Sequence, residues 1–130
     1  MWCSKLQMQI ALSTTEAEYI ALSQSLRDTI PLMQLLEEIK SHGHRTLSMT
    51  PKVHCKAFED NTGAIELACL PKMHPCTKHI NVVYHHFRDY VCTGQITVET
   101  IKSTDQIADI LTKPLAQNLF QKLHKQMLHW

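Results

Sequence analysis

The order of elements in the sequence predicts an α/β domain of layered type. Two observations carry this expectation. Short stretches with apolar residues at every second position alternate with longer stretches whose apolar residues recur at helical spacing. Hydroxyl-rich clusters of the form Ser-Thr-Thr-Glu and Ser-Thr-Asp-Gln stand where one kind of stretch gives way to the other. Read in order, the elements are strand, helix, strand, helix, helix, strand, helix, helix, which suits a sheet covered by helices but gives a thin sheet of three strands. A chain of 130 residues holds one such core and has no room for two.

The first strand is expected over 6–12, where Leu6, Met8, Ile10 and Leu12 alternate with Gln7, Gln9 and Ala11. Ser13-Thr14-Thr15-Glu16 then reads as a capping box, in which a hydroxyl accepts from free helix amides and the glutamate reaches back. It should launch a long helix over about 14–40, with Gly43 as its stop and a kink or break near Thr29 to Pro31, because proline has no amide to donate. Residues 45–51 read as loop and 53–58 as the second strand, followed by Glu59-Asp60-Asn61-Thr62-Gly63 and a short helix over about 62–69. Two prolines make 70–76 a loop. A helix over 78–91 is expected from the single face formed by Ile80, Val83, Tyr84, Phe87 and Val91, with Gly94 as its stop. The third strand covers about 95–102, with Ile96 and Val98 on one face. Ser103-Thr104-Asp105-Gln106 reads as a second capping box opening a helix over 104–112 that Pro114 ends. An amphipathic helix over 115–128 closes the chain through Leu115, Leu119, Phe120, Leu123 and Met127.

Composition narrows the function classes. Hydrophobic content of 44% and charged content of 19% are ordinary for a globular protein. A net charge of +1 with neutral histidines gives no polybasic stripe, so contact with nucleic acid would have to be local; nine histidines add positive charge as pH falls toward about 6. The five cysteines form an odd set without a CxxC pair, which favours free thiols in a reducing, intracellular compartment. No secretory signal pattern opens the chain, and no apolar run approaches a membrane span, so no membrane partner is expected.

Three acids are the candidate site. Glu18 lies in the first turns of the long helix, Asp60 just past a strand end, and Asp109 in the helix after the third strand. Strand ends and adjoining helix starts of an α/β sheet form its ligand crevice, and converging carboxylates suit a hard divalent cation. Each acid alone also has a plain reading: Glu18 favours the helix macrodipole, Asp60 serves as an N-cap, and Asp109 sits on a solvated helix face. Spacing does not choose between these.

The residues around the acids carry more. Trp2 to Gln7 followed by Ala11 to Leu22 resembles the strand and first helix of copia-type retrotransposon ribonuclease H. Glu59-Asp60-Asn61-Thr62-Gly63-Ala64 resembles the Asp-Asn segment of that family. Thr77-Lys78-His79-Ile80 with Tyr84-His85-His86-Phe87-Arg88 is similar to its Thr-Lys-His-Ile helix, and Asp105 to Leu115 to its closing signature. The four blocks stand in the family's order and span nearly the whole chain.

The resemblance implies a ribonuclease H-like fold, here a truncated three-stranded sheet with flanking helices. It implies Glu18, Asp60 and Asp109 as catalytic acids and metal ligands, with Mg²⁺ or Mn²⁺ as cofactor. Lys78 and His79 become contacts to an RNA–DNA hybrid, read by groove shape and 2′-hydroxyls. The reaction implied is two-metal hydrolysis of the RNA strand during reverse transcription, beside the reverse transcriptase domain of one Pol polyprotein, in a cytoplasmic virus-like particle or the nucleus.

Two departures qualify it. The family's first catalytic aspartate lies on a strand that precedes this pattern, and no acid precedes Glu16 here, so weakened metal binding and little hydrolysis are expected of this chain alone. Strands left without neighbours expose edges that invite self-association. Cys76 stands where the family usually has arginine, which removes a phosphate contact. Three other readings stay open: a zinc module built from His54, Cys55, Cys69, His74, Cys76, His79, His85, His86 and Cys92; a non-catalytic nucleic-acid-binding or structural domain of a Pol protein; and a covalent hydrolase, for which no nucleophile-elbow pattern is present.

Overall fold

The computed structural model describes residue 7 and residues 9–42, 52–70, 80 and 82–128. Among these the chain is mixed α/β, with five α-helices, two short 3-10 helices and a parallel pair of strands. Helix α1 spans Thr14–Ser41 and opens as its capping box predicts. Ser13 is extended, its hydroxyl accepts from the Glu16 amide at 3.2 Å, and the Glu16 carboxylate accepts from the Leu12 amide at 2.8 Å. The expected break at Pro31 does not occur; α1 runs through it. An interior proline costs about 3 kcal/mol. Ile30 and Met33, on either side of it, are both buried. Burying a side chain of that size contributes about 1.5–3 kcal/mol, so packing outweighs the lost hydrogen bond.

The strand expected over 6–12 is not formed by its described part, residue 7 and residues 9–12. Leu6 and Met8 lie outside the described residues. Ile10 is 84% and Leu12 74% exposed. An alternating segment becomes a strand only when a neighbour takes its backbone groups and covers its apolar side, and neither observed strand pairs with it.

Strand β1 spans Cys55–Glu59 and β2 spans Ile96–Thr100. They run parallel in a register that sets Cys55 opposite Ile96 and Glu59 opposite Thr100. Among the described residues the sheet therefore has two strands, not the three expected. Between them, α2 (Thr62–Cys69) matches the sequence expectation and is capped by the Asn61 side chain, which accepts from the Ala64 amide at 3.1 Å. Gly63 lets α2 approach α1: a Cβ there would lie 2.9 Å from Thr15 Cγ2.

The helix expected over 78–91 divides. Lys78 and His79 lie outside the described residues, and the rest of the segment forms a 3-10 helix, Val82–His85, and then α3, Arg88–Cys92. Val82 and Val83 are β-branched and resist helix, and the proposed single face is not buried as one: Ile80 and Phe87 enter the core while Val83 stays half exposed. Gly94 ends α3 as expected. Its φ is 71°, and the amides of Gly94 and Gln95 bond to the carbonyls of Val91 and Tyr90, the pattern of a Schellman turn.

The helix expected over 104–112 also divides, into a 3-10 turn, Ser103–Asp105, and α4, Asp109–Thr112. Its capping box does not cap. Ser103 and Gln106 bond across to the end of β1, at Asp60 and at the Phe58 carbonyl. Pro114 holds Lys113 extended and stops α4. Helix α5 spans Gln117–Leu128, with Leu123 buried and Phe120 and Met127 partly exposed. The core joins Tyr19, Leu22, Leu26, Ile30 and Met33 of α1 to Ala64 and Ala68 of α2, with Ile80, Phe87 and Ile96. No helix among the described residues is long and apolar enough to cross a membrane.

Candidate functional site

The carboxyl end of β1 is the acidic corner of the molecule. Alternation along the strand turns Cys55, Ala57 and Glu59 to one side, and Glu59, the last strand residue, is 6% exposed. Its carboxylate accepts from the Asn61 amide at 3.0 Å. Burial pushes the Glu59 carboxyl above the usual range; the Asn61 amide opposes this, and the nearby charges of Glu18 and Asp60 add to it. Asp60, the next residue, accepts from the Ser103 hydroxyl at 2.7 Å. That bond ties the turn after β2 to the turn after β1.

Asp109 enters from α4. It is 7% exposed and forms an ion pair with Lys113, one helical turn on, at 2.8 Å. The Lys113 ammonium is held above its ordinary pKa by its bond to Asp109, with further attraction from Asp60 and Glu18. Glu18 comes from the second turn of α1, whose start is fixed to α2 by the Thr15–Asn61 side-chain contact at 3.3 Å. Carboxylates from α1, the β1 end and α4 thus share one electrostatic neighbourhood around Lys113.

The three acids singled out in the sequence all act on the Lys113 ammonium, but they do not form a metal cage. Among the described residues no three His, Cys, Asp or Glu side chains are arranged to hold a metal ion. The acids as they stand do not fit a divalent cation: Asp109 is engaged by an ammonium and Asp60 by a hydroxyl. The described members of the candidate zinc set do not gather either. His54 bonds to Thr97, His85 to Tyr19, and His86 to the Val83 carbonyl, and Cys55, Cys69 and Cys92 are free thiols. His74, Cys76 and His79 lie outside the described residues, as does Lys78.

Sequence reasoning missed two members of the corner. Glu59 was legible from the two-residue period, which carries the core-facing side of β1 through Cys55 and Ala57 to it. Lys113 was legible from its spacing of four after Asp109. A concavity of about 710 Å³ lies elsewhere, against Gln34, Glu37, Glu38, Lys40 and Ser41 of α1. It is open to solvent and none of the acids lines it.

A second polar group sits inside the core. The Tyr19 hydroxyl and His85 Nδ1 are 2.7 Å apart, and the Tyr19 ring packs against Phe87 with centroids 5.5 Å apart. Burial pushes the Tyr19 hydroxyl up to about 12, against the pull of Arg88. Burial and then the Arg88 charge lower the pKa of His85, and the Ile80 carbonyl opposes them.

No family model matches the chain, and no solved structure matches it. Curated proteins do. The retrovirus-related Pol polyprotein from transposon RE1 of Arabidopsis thaliana is 38% identical over 120 residues, covering 92% of this chain and 8% of that protein. The corresponding polyprotein from transposon TNT 1-94 of Nicotiana tabacum is 38% identical over the same shares. That from transposon RE2 of Arabidopsis thaliana is 35% identical over 126 residues, covering 97% of this chain and 8% of the relative. Over most of its length, this chain is a homologue of a short segment, about 8%, of transposon-encoded, retrovirus-related Pol polyproteins.

Proposed function

We propose that the chain is the C-terminal part of a ribonuclease H-like domain of a retrotransposon Pol polyprotein, acting in the intact polyprotein on the RNA strand of RNA–DNA hybrids. One observation carries the reading: Glu18, Asp60 and Asp109, far apart in the chain, all act on the ammonium of Lys113. The corner lies past the end of a strand of a parallel pair, where α/β sheets place their ligands. Relatives that are Pol polyproteins of transposons fit the same reading. Mg²⁺ or Mn²⁺ would be the cofactor of the intact domain, the hybrid its substrate, and the reverse transcriptase domain its neighbour. Lys78 and His79 are the proposed hybrid contacts.

No hydrolytic step is assigned to this chain alone. Among the described residues the acids make no metal cage. That arrangement favours a second reading, a non-catalytic nucleic-acid-binding or structural domain. A labelled RNA–DNA hybrid with Mg²⁺ or Mn²⁺ separates the two. The chain alone is expected to leave the hybrid whole. Fused behind the preceding segment of the RE1 relative, it is expected to cut the RNA strand, and Asp60→Asn in the fusion to abolish cutting. A folded fusion that binds the hybrid and never cuts it supports the non-catalytic reading; cutting by the chain alone overturns the expectation of inactivity.

A further inference from the structure

The acidic corner does not fit a divalent cation, and it already contains a positive charge of its own. Glu59 and Asp60 are met by neutral donors, the Asn61 amide and the Ser103 hydroxyl, which orient a carboxylate without cancelling its charge. Among the described residues, Lys113 is the basic side chain that makes an ion pair with one of the four acids. Both its backbone and its side chain are bound to Asp109: the amide donates to the Asp109 carbonyl at 2.9 Å, and the ammonium to the Asp109 carboxylate at 2.8 Å. Pro114 fixes the extended conformation from which the lysine does this.

We infer that Lys113 is the resident counter-cation of the acidic corner, a tethered ammonium that lets Glu18, Asp60 and Asp109 share one place and keeps a divalent cation off Asp109. A free ion must displace a group already bonded to that carboxylate and always present at the site. Removing the ammonium both frees Asp109 and leaves the neighbourhood more negative by one unit of net charge. The inference rests on the Lys113–Asp109 contact and on the attraction of Asp60 and Glu18 to the same ammonium; it does not require the nuclease reading, in which Lys113 would have to release Asp109 to metal.

The test is Mn²⁺ titration of the full 130-residue chain, monitored by calorimetry and by the loss of the free-ion paramagnetic signal. Wild type is expected to show no saturable binding. Lys113→Met, which keeps the aliphatic stem, is expected to bind at least about tenfold more tightly, the scale set by one unit charge at hydrogen-bond range. Its thermal midpoint is expected to fall in metal-free buffer and to recover on adding Mn²⁺. Lys113→Arg, which keeps the charge, is expected to behave as wild type and controls for disturbed folding. Stoichiometric Mn²⁺ binding by wild type, or Lys113→Met unchanged in both affinity and midpoint, overturns the inference. No hybrid is involved, so this result and the cleavage result stand apart.

Discussion

Glu18 and Tyr19 are neighbours in α1, yet they belong to regions held together in different ways. Tyr19 is fully buried, with aromatic rings on two sides and its hydroxyl against His85. Glu18 faces a corner made of charges and exchangeable donors, where the ammonium that balances it is about half exposed. The first region derives its strength from removing apolar area from water and from dense packing. The second depends on an ion pair, Lys113–Asp109, that water and salt weaken. The fold is thus anchored one residue away from the site, and charge substitutions at the site are expected to leave the chain folded.

Substitutions can break that contrast. Tyr19→Ala is expected to cost about 3–5 kcal/mol, the scale of removing a large aromatic from a packed interior, whereas Glu18→Gln should stay within about 0.5 kcal/mol. Urea unfolding of the two variants measures both, and equal losses would mean that the corner is structural. Gly63→Ala comes next. Its methyl would meet Thr15 where α1 and α2 touch, an overpacking cost of about 1–3 kcal/mol, partly offset by up to about 1 kcal/mol from the better helix propensity of alanine. Combining it with Thr15→Ala should recover much of the loss, which a double-mutant cycle reads directly.

The smallest effect is in the pH profile, where the two regions have opposite signs. His85 has a lowered folded pKa, so its contribution is complete above its unfolded value of 6.5 and is lost as pH falls below that. Glu59 has a raised folded pKa, so its contribution is complete below 4.5 and is lost as pH rises through the folded value. Unfolding midpoints across a pH range of about 4 to 8 should therefore show His85→Gln flattening the acid limb and Glu59→Gln lifting the neutral limb by about 0.5 kcal/mol. A profile left unaltered by either substitution would remove the coupling described for both groups.

Where local rules and tertiary packing agreed, the sequence could be read closely. The Ser13 cap, the bounds of α2 and the Gly94 stop follow from short-range chemistry alone. Reading failed where a residue had a distant claim on it. Ser103 has the right neighbours for a cap, but its hydroxyl bonds to Asp60, which no local pattern reveals. The alternation before Leu12 is a sound strand pattern with no partner strand among the described residues. Ile80 and Phe87 follow helical spacing, but two adjacent β-branched valines and the Tyr19–His85 contact divide the helix between them. Of the candidate acids, Glu18 on α1 and Asp60 past the end of β1 stand in the elements expected, while Asp109 opens the short α4 instead of lying inside a longer helix. The pairing of Lys113 with Asp109 was legible from their spacing of four, but the attraction of Asp60 and Glu18 to the same ammonium was not, because both come from elements far away in the sequence.

The turn at Gly94 has a consequence for the whole sheet. Only Thr93 separates it from α3 and only Gln95 from β2, so it counts out which side chain of β2 lands beside Cys55. One extra residue there would move every side chain of the strand to the opposite face, sending Ile96 toward water and a polar neighbour inward. The spacing from helix end to strand start is therefore as strict a requirement of this sequence as the identity of any core residue.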